Sequence, residues 1–370
     1  MSLKICVYAI CKNESKFVEK WLENMSEADQ IVVLDTGSTD GTYELLKNDP
    51  RVTLVKQEII TPWRFDVARN KSLELVPDDA DILVCTDFDE LFEPGWADHL
   101  RNNWILGTHN RCHYKYAWCH GELGEPQFIF TYDKIHSRGL KWIFPVHEVL
   151  WPENEEEYED VRLDMTETIF LHHWQDLNKP RGNYLDLLHL ACEEFPDNSH
   201  IWGLLGREYM LNENYEKAID VFLETLEKPD IETCDLGKNL LQTLHFLAEC
   251  YYKLEDYEEC VWYSEEFIRV NYTYREPYFT MARALINQKL PHLAVSIIET
   301  GIKYATRKND WVEGQASWSF ESNLILGAAY MNMGKWSEAQ KELKAALEFV
   351  PNNTEVLKQY IECLEHQLSI

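Results

Sequence analysis

The 370-residue sequence is short of basic residues, has no long apolar run and contains no paired-cysteine motif, and each lack narrows what the chain can do. Its 35 Lys and Arg stand against 64 Asp and Glu, a net charge of −29. Nucleic acid is bound through clustered Lys and Arg on phosphates, so a nucleic-acid partner is excluded. Acids outnumber bases in both halves, as in an ordinary acidic soluble protein. No stretch reaches the roughly 20 apolar residues of a membrane span, and the opening "MSLKICVYAICKNE" lacks a signal-peptide cleavage pattern. A cytoplasmic protein without an integral membrane segment is therefore expected. The ten cysteines are scattered, with no C-x-x-C among them. Cys6, Cys85 and Cys250 lie on apolar faces as small core residues, which argues against both a disulfide framework and structural zinc.

What is present is core-forming material. Hydrophobic residues make up 45% and aromatics 13%, with 13 Trp and 19 Tyr, enough for two packed domains. In residues 1–135 short runs rich in Val, Ile and Leu ("ICVYAI", "QIVVLD", "VTLVKQ", "ILVCTD") alternate with stretches of helical spacing ("SKFVEKWLENMSEA", "TDGTYELLKN", "FDVARNKSLELV"). This alternation predicts a mostly parallel, Rossmann-like α/β sheet covered on both faces. Ligands of such sheets gather at the carboxyl ends of the strands. Charged residues fall at those ends: Lys12, Asn13 and Glu14, then Asp35, then Asp87 and Asp89. The run "ENEEEYED" (Glu153 to Asp160) reads as a solvated loop.

From about residue 176 the pattern is wholly helical and repeats. Trp202, Leu205, Gly206, Tyr209, Ala218 and Phe222 fit the tetratricopeptide template, as do Gly327, Tyr330, Ala339, Leu343, Ala346 and Pro351. Two weaker copies rest on Ala248, Tyr251 and Cys260, and on Ala282, Leu285, Ala294 and Gly301. The small residue that opens each unit recurs at 206, 248, 282 and 327. Residues 354–368 read as a capping helix. The expected division is 1–175 for the α/β domain and 176–370 for an all-α solenoid.

The stretch "ILVCTDFDELF" (Ile82 to Phe92) ends a buried strand with Asp87, Asp89 and Glu90 close together. Residues i and i+2 of an extended segment point the same way, so Asp87 and Asp89 are able to converge on one divalent cation. A turn that only caps the next helix has the same composition.

Four motifs in order, "CKNE", "VLDTGSTDGT", "WRFDVARNKSLE" and "CTDFDELF", resemble the family 2 glycosyltransferases of GT-A fold, over about residues 3–175. Members with a carboxy-terminal tetratricopeptide array are known. The resemblance implies that Ile10, Cys11, Asn13 and Glu14 border the nucleotide, that Asp35 accepts a hydrogen bond from uracil, and that Arg64 contacts base and phosphate. It implies that Asp87 meets the ribose and the metal, and that Asp89 ligates Mn²⁺ or Mg²⁺ directly. In "LKWIFPVHEVL" it implies a base, Glu148 or its substitute His147, in a small apolar setting that raises the carboxylate's pKa. In "TIFLHHWQDLNKPRGNY", His172 or His173 completes the metal shell, with alignment of the following aromatic favouring His172. Lys179 and Arg181 steady the leaving phosphate, or are plain solvated charges.

The implied activity is inverting, metal-dependent transfer of a hexose from a nucleotide diphosphate sugar, UDP-glucose or UDP-GlcNAc, to a peptide, protein or surface-glycan acceptor. The alternative is a catalytically inactive GT-A domain on a protein-interaction scaffold. A donor-making nucleotidyltransferase is set aside because "CKNESKF" has no glycine where such enzymes carry a Gly-rich phosphate loop. The solenoid is left three roles: holding the acceptor, pairing subunits as a homodimer, or bracing the catalytic domain. Trp311, Trp318 and Trp336 suit any of these.

Overall fold

In the computed structural model, residues 2–121, 124–176, 184–234, 239–307, 314 and 316–368 are described. The chain divides into two compact units, Met1–Leu187 and Leu188–Ile370.

The first unit opens with the alternation read from sequence: β1 (Ile5–Cys11), α1 (Val18–Met25), β2 (Gln30–Asp35), α2 (Thr42–Asn48), β3 (Leu54–Gln57), α3 (Phe65–Leu73) and β4 (Ile82–Cys85). It continues with β5 (Glu90–Phe92), α4 (Trp96–Asn103), β6 (Arg111–His120), β7 (Pro126–His136), β8 (Leu140–Ile143), β9 (Val149–Pro152), β10 (Arg162–Asp164) and β11 (Phe170–His173). Among the described residues nine strands form one sheet in the order β3-β2-β1-β4-β7-β6-β11-β5, with β10 also on β6; β8 and β9 make a separate hairpin. Five of the eight pairings in the large sheet are parallel. The other three, β4 with β7, β7 with β6 and β11 with β5, are antiparallel.

β1 is buried on both faces, as a central parallel strand must be. Ile5, Val7, Ala9 and Cys11 pack with Trp21, Leu22 and Met25 of α1, while Cys6 and Tyr8 pack on the other side with Cys85, Leu140 and Trp142. The Tyr8 hydroxyl donates to His136 Nε2 at 2.7 Å and accepts from Trp142 Nε1 at 2.9 Å. His136 Nδ1 lies 2.7 Å from the Ser137 carbonyl and must donate to it, which leaves Nε2 as the acceptor. Burial pushes this imidazole down to about 4, so it stays neutral. Asn70 of α3 then clamps β8 by exchanging two 2.8 Å bonds with the backbone of Trp142. These contacts fix the loop that follows β8.

The second unit is a helical array. After α5 (Tyr184–Glu194) come α6 (Ser199–Leu211) with α7 (Tyr215–Leu226), α8 (Asn239–Lys253) with α9 (Tyr257–Val270), and α10 (Glu276–Asn287) with α11 (Pro291–Tyr304). A further pair, α12 (Glu321–Asn332) with α13 (Trp336–Phe349), precedes the terminal helix α14 (Thr354–Leu368). Residues 206, 248, 282 and 327 each lie on the first helix of a pair, and all four are glycine or buried alanine. A Cβ at Gly206 would stand 2.5 Å from the Phe222 ring, and one at Gly327 would stand 2.7 Å from Leu343. Of the three tryptophans singled out, Trp318 and Trp336 are half-buried and Trp311 lies outside the described residues.

Gly206→Ala is expected to lower stability by about 1–3 kcal/mol through overpacking against Phe222. Urea unfolding would read this as a lower midpoint at constant slope, and an unchanged midpoint would show that the ring yields freely.

Candidate functional site

The parallel strands deliver their carboxyl ends together. Cys11 pairs with Asp35 and Tyr8 with Cys85, so the loops after β1, β2 and β4 open on one edge. The first two are laced to one another. Asn13, with a left-handed φ of 59°, accepts from the Thr39 amide through Oδ1 at 2.8 Å, and its own amide donates to Ser38 Oγ at 2.8 Å. The amides of Glu14 and Ser15 donate to Thr42 Oγ1 and Asp40 Oδ2 at 2.8 and 3.0 Å. Four cross-loop bonds make a rigid rim. Ile10 is half-buried, Asn13 is exposed, and Cys11 and Glu14 are buried beneath it.

Asp35 is fully buried. Its Oδ1 accepts from the amides of Gly37 and Ser38 and from Gln57 Nε2, each at 2.9 Å. Burial alone would raise its pKa, but these donors hold it below the usual carboxylate range. The turn "DTGST" thus closes on its own first residue. Helix α2 begins one residue later than a cap at Asp40, and two later than a cap at Thr39, would place it: Gly41 takes the N-cap position with φ 95°, where glycine avoids the Cβ penalty.

Asp87, Asp89 and Glu90 do not share one partner. A turn over Phe88 and Asp89 breaks the extended segment, so the expected i, i+2 convergence of the two aspartates does not apply. Asp87 meets Arg69 Nη2 at 2.9 Å and Lys134 Nζ at 3.3 Å. Lys134 also meets Glu90 at 3.1 Å, and the Tyr116 hydroxyl donates to the same Glu90 oxygen at 3.0 Å. Arg69, Lys134 and Glu90 are all buried. Burial would raise the pKa of Asp87, but Arg69 and Lys134 hold it well below the usual carboxylate range. The acids are tolerated because two buried cations from α3 and β7 neutralise them.

Asp89 turns elsewhere. Its Oδ2 lies 3.3 Å from His173 Nε2, and its backbone carbonyl accepts from the Trp174 amide at 2.7 Å. His173 Nδ1 lies 3.1 Å from the Trp118 carbonyl, which can only accept, so Nδ1 carries a proton and Nε2 faces the carboxylate. Burial disfavours the imidazolium, yet Asp89, Glu90 and Asp87 raise the ring's pKa above its ordinary value. His172, which the sequence favoured, points to Glu93 at 3.4 Å and to His120 at 2.9 Å, because successive strand residues face opposite sides.

Glu148 does not occupy the apolar setting expected of it. Its Oε1 accepts from Arg69 Nε at 2.6 Å, so one guanidinium grips both Glu148 and Asp87. His147 stands beside it with a left-handed φ of 53°, its ring centroid 5.9 Å from that of Tyr184. A non-glycine residue held in this region marks a locally strained loop. Arg64 makes a two-pronged contact with Asp66, at 3.0 and 2.8 Å, two residues along its own segment. Lys179 and Arg181 lie outside the described residues.

Among the described residues, no group of three or more His, Cys, Asp or Glu is arranged to hold a metal ion unaided. The chemistry of Asp89 with His173 nonetheless fits a shared cation. Ligands at about 2.1 Å and right angles from one ion stand about 3 Å apart, and such ions commonly keep only one or two protein ligands beside substrate phosphates. The Trp118 carbonyl supplies the outer hydrogen bond that fixes the imidazole.

Residues 6–107 match the model described as Glycosyl transferase family 2, and residues 199–227 match that described as Tetratricopeptide repeat. The chain joins a family 2 glycosyltransferase domain to tetratricopeptide repeats. Similar solved structures include TTC0263, a thermophilic tetratricopeptide protein in Thermus thermophilus, at 17% identity over 49% of this chain and 88% of that one, with a TM-score of 0.38. MamA follows at 16% identity, 44% and 79% coverage and a TM-score of 0.36. YrrB, described as having an unusual peptide-binding site, shows 18% identity, 47% and 80% coverage and a TM-score of 0.36. No curated protein matches the chain. Among the described residues no helix is long and apolar enough to cross a membrane.

The glycosyltransferase domain therefore carries, beside the residues read from its motifs, four that sequence reasoning missed: Arg69, Lys134, Tyr116 and Trp118. Arg69 was readable, since Phe65, Ala68, Arg69 and Ser72 form one helical stripe, which places an arginine among core positions. Lys134→Met should leave the buried Glu90 without its cation and cost about 3–5 kcal/mol at neutral pH. Asp87, whose pKa Arg69 and Lys134 hold below the usual carboxylate range, contributes stability above its unfolded pKa and loses it as pH falls, so the gap between wild type and variant should narrow below about pH 4. Urea midpoints across pH 3–7 would show this, and a pH-independent gap would contradict the pairing.

Proposed function

We propose that the first unit is an inverting, metal-dependent glycosyltransferase that moves a hexose from a UDP-linked donor, UDP-glucose or UDP-GlcNAc, to an acceptor nucleophile. The observation that carries this reading is the Asp89–His173 pair, 3.3 Å apart and steadied by the Trp118 carbonyl, at the carboxyl edge of the sheet. Mn²⁺ or Mg²⁺ held there would offset the charge of the departing diphosphate.

The chain's own residues do the rest. The laced rim of Asn13, Glu14 and the backbone at Ile10 and Cys11 borders the nucleotide, and Asp35 shapes that rim from within. Asp87, pinned by Arg69 and Lys134, faces the ribose. Glu148, oriented by the other side of the Arg69 guanidinium, takes the acceptor's proton as the acceptor attacks the anomeric carbon from the face opposite the diphosphate. A bond forms between acceptor and carbon, the carbon–oxygen bond to phosphate breaks, and the electron pair leaves with UDP. The anomeric configuration inverts. His147 is the substitute base, and His172 lies outside the proposed metal set. The repeats carry protein contacts, whether to acceptor, to a second copy or to the catalytic unit.

UDP release from UDP-glucose or UDP-GlcNAc with Mn²⁺ tests the reading. Asp89→Ala should lower turnover by about 100-fold or more, as should chelation of the metal. Turnover by Asp89→Ala without metal would refute the assignment, and a wild type that binds UDP without turnover would favour the inactive scaffold. Glu148→Gln should lower kcat by about 10²–10⁴-fold with KM little changed. An equal loss in Arg69→Lys would support its positioning role; full activity of Glu148→Gln would move the base to His147.

A further inference from the structure

One face of the β6–β7 hairpin carries a ladder of rings that the donor chemistry does not use. Ring centroids are 4.9 Å apart for Tyr116 and Tyr132, 5.0 Å for Tyr116 and Phe130, and 6.3 Å for Tyr116 and Trp118. The ladder ends beside the proposed donor site, with Trp118 edge-on to His173 at 5.2 Å. Alternate residues of a strand share a face, and along this face of β6 exposure rises from 0% at Tyr114 and 2% at Tyr116 to 44% at Trp118. The core thus runs out into solvent as an indole next to Asp89 and His173.

Trp174 flanks the pair from the other side, but its ring is already occupied. His120 stacks on it at 3.8 Å, and Lys20 Nζ stands 5.3 Å from its centroid. Exposure is similar for the two, 44% at Trp118 and 38% at Trp174, but the ring contacts of Trp118 are tilted or edge-on; Gln175 donates to the Trp118 carbonyl at 3.1 Å, and Asp89 and His173 lie beyond. The hairpin register, with Ala117 opposite Ile129, brings Phe128 across from Trp118. Phe128 is 54% exposed and has a left-handed φ of 47°, an uncommon conformation for a ring-bearing residue.

We propose that the outer end of this hairpin is the acceptor subsite and that the acceptor is a carbohydrate whose terminal ring lies on Trp118. The inference rests on the glycosyltransferase reading and names its acceptor class. A pyranose has an apolar face of C–H bonds and a rim of hydroxyls. A flat indole covers the first, and the side-chain amide of Gln175 beside it meets the second. A lipid tail or an amphipathic helix calls for a continuous apolar groove, whereas here the exposed rings of Trp118 and Phe128 stand beside Gln175 and His173. The position is also right for transfer, since a sugar on Trp118 lies beside the donor site.

The test uses the full chain with UDP and Mn²⁺. Titration with short glucan, chitin and galactan oligosaccharides, and with Ser-, Thr- and Cys-containing peptides, is followed by calorimetry and tryptophan fluorescence. At least one oligosaccharide class should bind. Trp118→Ala should weaken that binding about tenfold, while Trp118→Tyr, which keeps a flat ring, should stay within about threefold. If Trp118→Ala does not fold by circular dichroism, Phe128→Ala replaces it, with about threefold weakening expected. Binding of peptides alone, or oligosaccharide binding indifferent to these substitutions, overturns the proposal. UDP with Mn²⁺ separates the two levels: a raised wild-type melting temperature without oligosaccharide binding sinks the acceptor proposal alone, and no rise sinks the transferase reading with it.

Discussion

The first unit depends on two buried cations placed against a cluster of acids. Arg69 and Lys134 between them pair with Asp87, Glu90 and Glu148, of which Glu90 is buried and Asp87 partly exposed. Each carboxylate left alone there would cost several kcal/mol or take up a proton. With those three engaged, Asp89 is the acid of the cluster that pairs with a neutral-capable ligand, His173, rather than with a fixed positive charge. The arrangement separates Asp87, Glu90 and Glu148, held by fixed positive charges, from Asp89, which meets an imidazole.

Both halves of the sheet are needed for this. The parallel strands β1, β2 and β4 contribute the rim and the acids, as the strand-end rule expects. The counter-charges and the histidine come from elsewhere: Lys134 from β7, Tyr116 from β6 and His173 from β11. The antiparallel insertion of β7 and β6 between β4 and β11 brings these side chains to the carboxyl edge. The α3–β8 clamp then sets Glu148 against Arg69, with Asn70 and Arg69 adjacent on one helix.

Much of this was legible. The four parallel strands announce themselves as Val- and Ile-rich runs, and the solenoid by its recurring small residues, each where a Cβ would meet the partner helix or where alanine already packs. The antiparallel half was not read. "RCHYKYAWCH" and "PQFIFTYDKIH" set their Tyr, Trp and Phe rings at alternate positions, but the charges and histidines mixed among them dilute the apolar signal of a strand. Arg64 and Arg69 present a related case. Both lie in one motif, but Arg64 precedes α3 and folds back on Asp66, while Arg69 sits on the helix's buried stripe. Which histidine of "HH" faces Asp89 depends on strand orientation, a tertiary property that spacing alone leaves open.

The helical unit is held by close approach at its small residues, a geometry that tolerates variation on the exposed helix faces while fixing the inter-helix distance. The central claim lies in the first unit and concerns one ion. Electron paramagnetic resonance of Mn²⁺ titrated into the protein with UDP tests it most directly. The account predicts one ordered Mn²⁺ per chain in wild type and in His172→Ala, and its loss in His173→Ala. Equal Mn²⁺ binding by His173→Ala and wild type, or loss in His172→Ala alone, would contradict it.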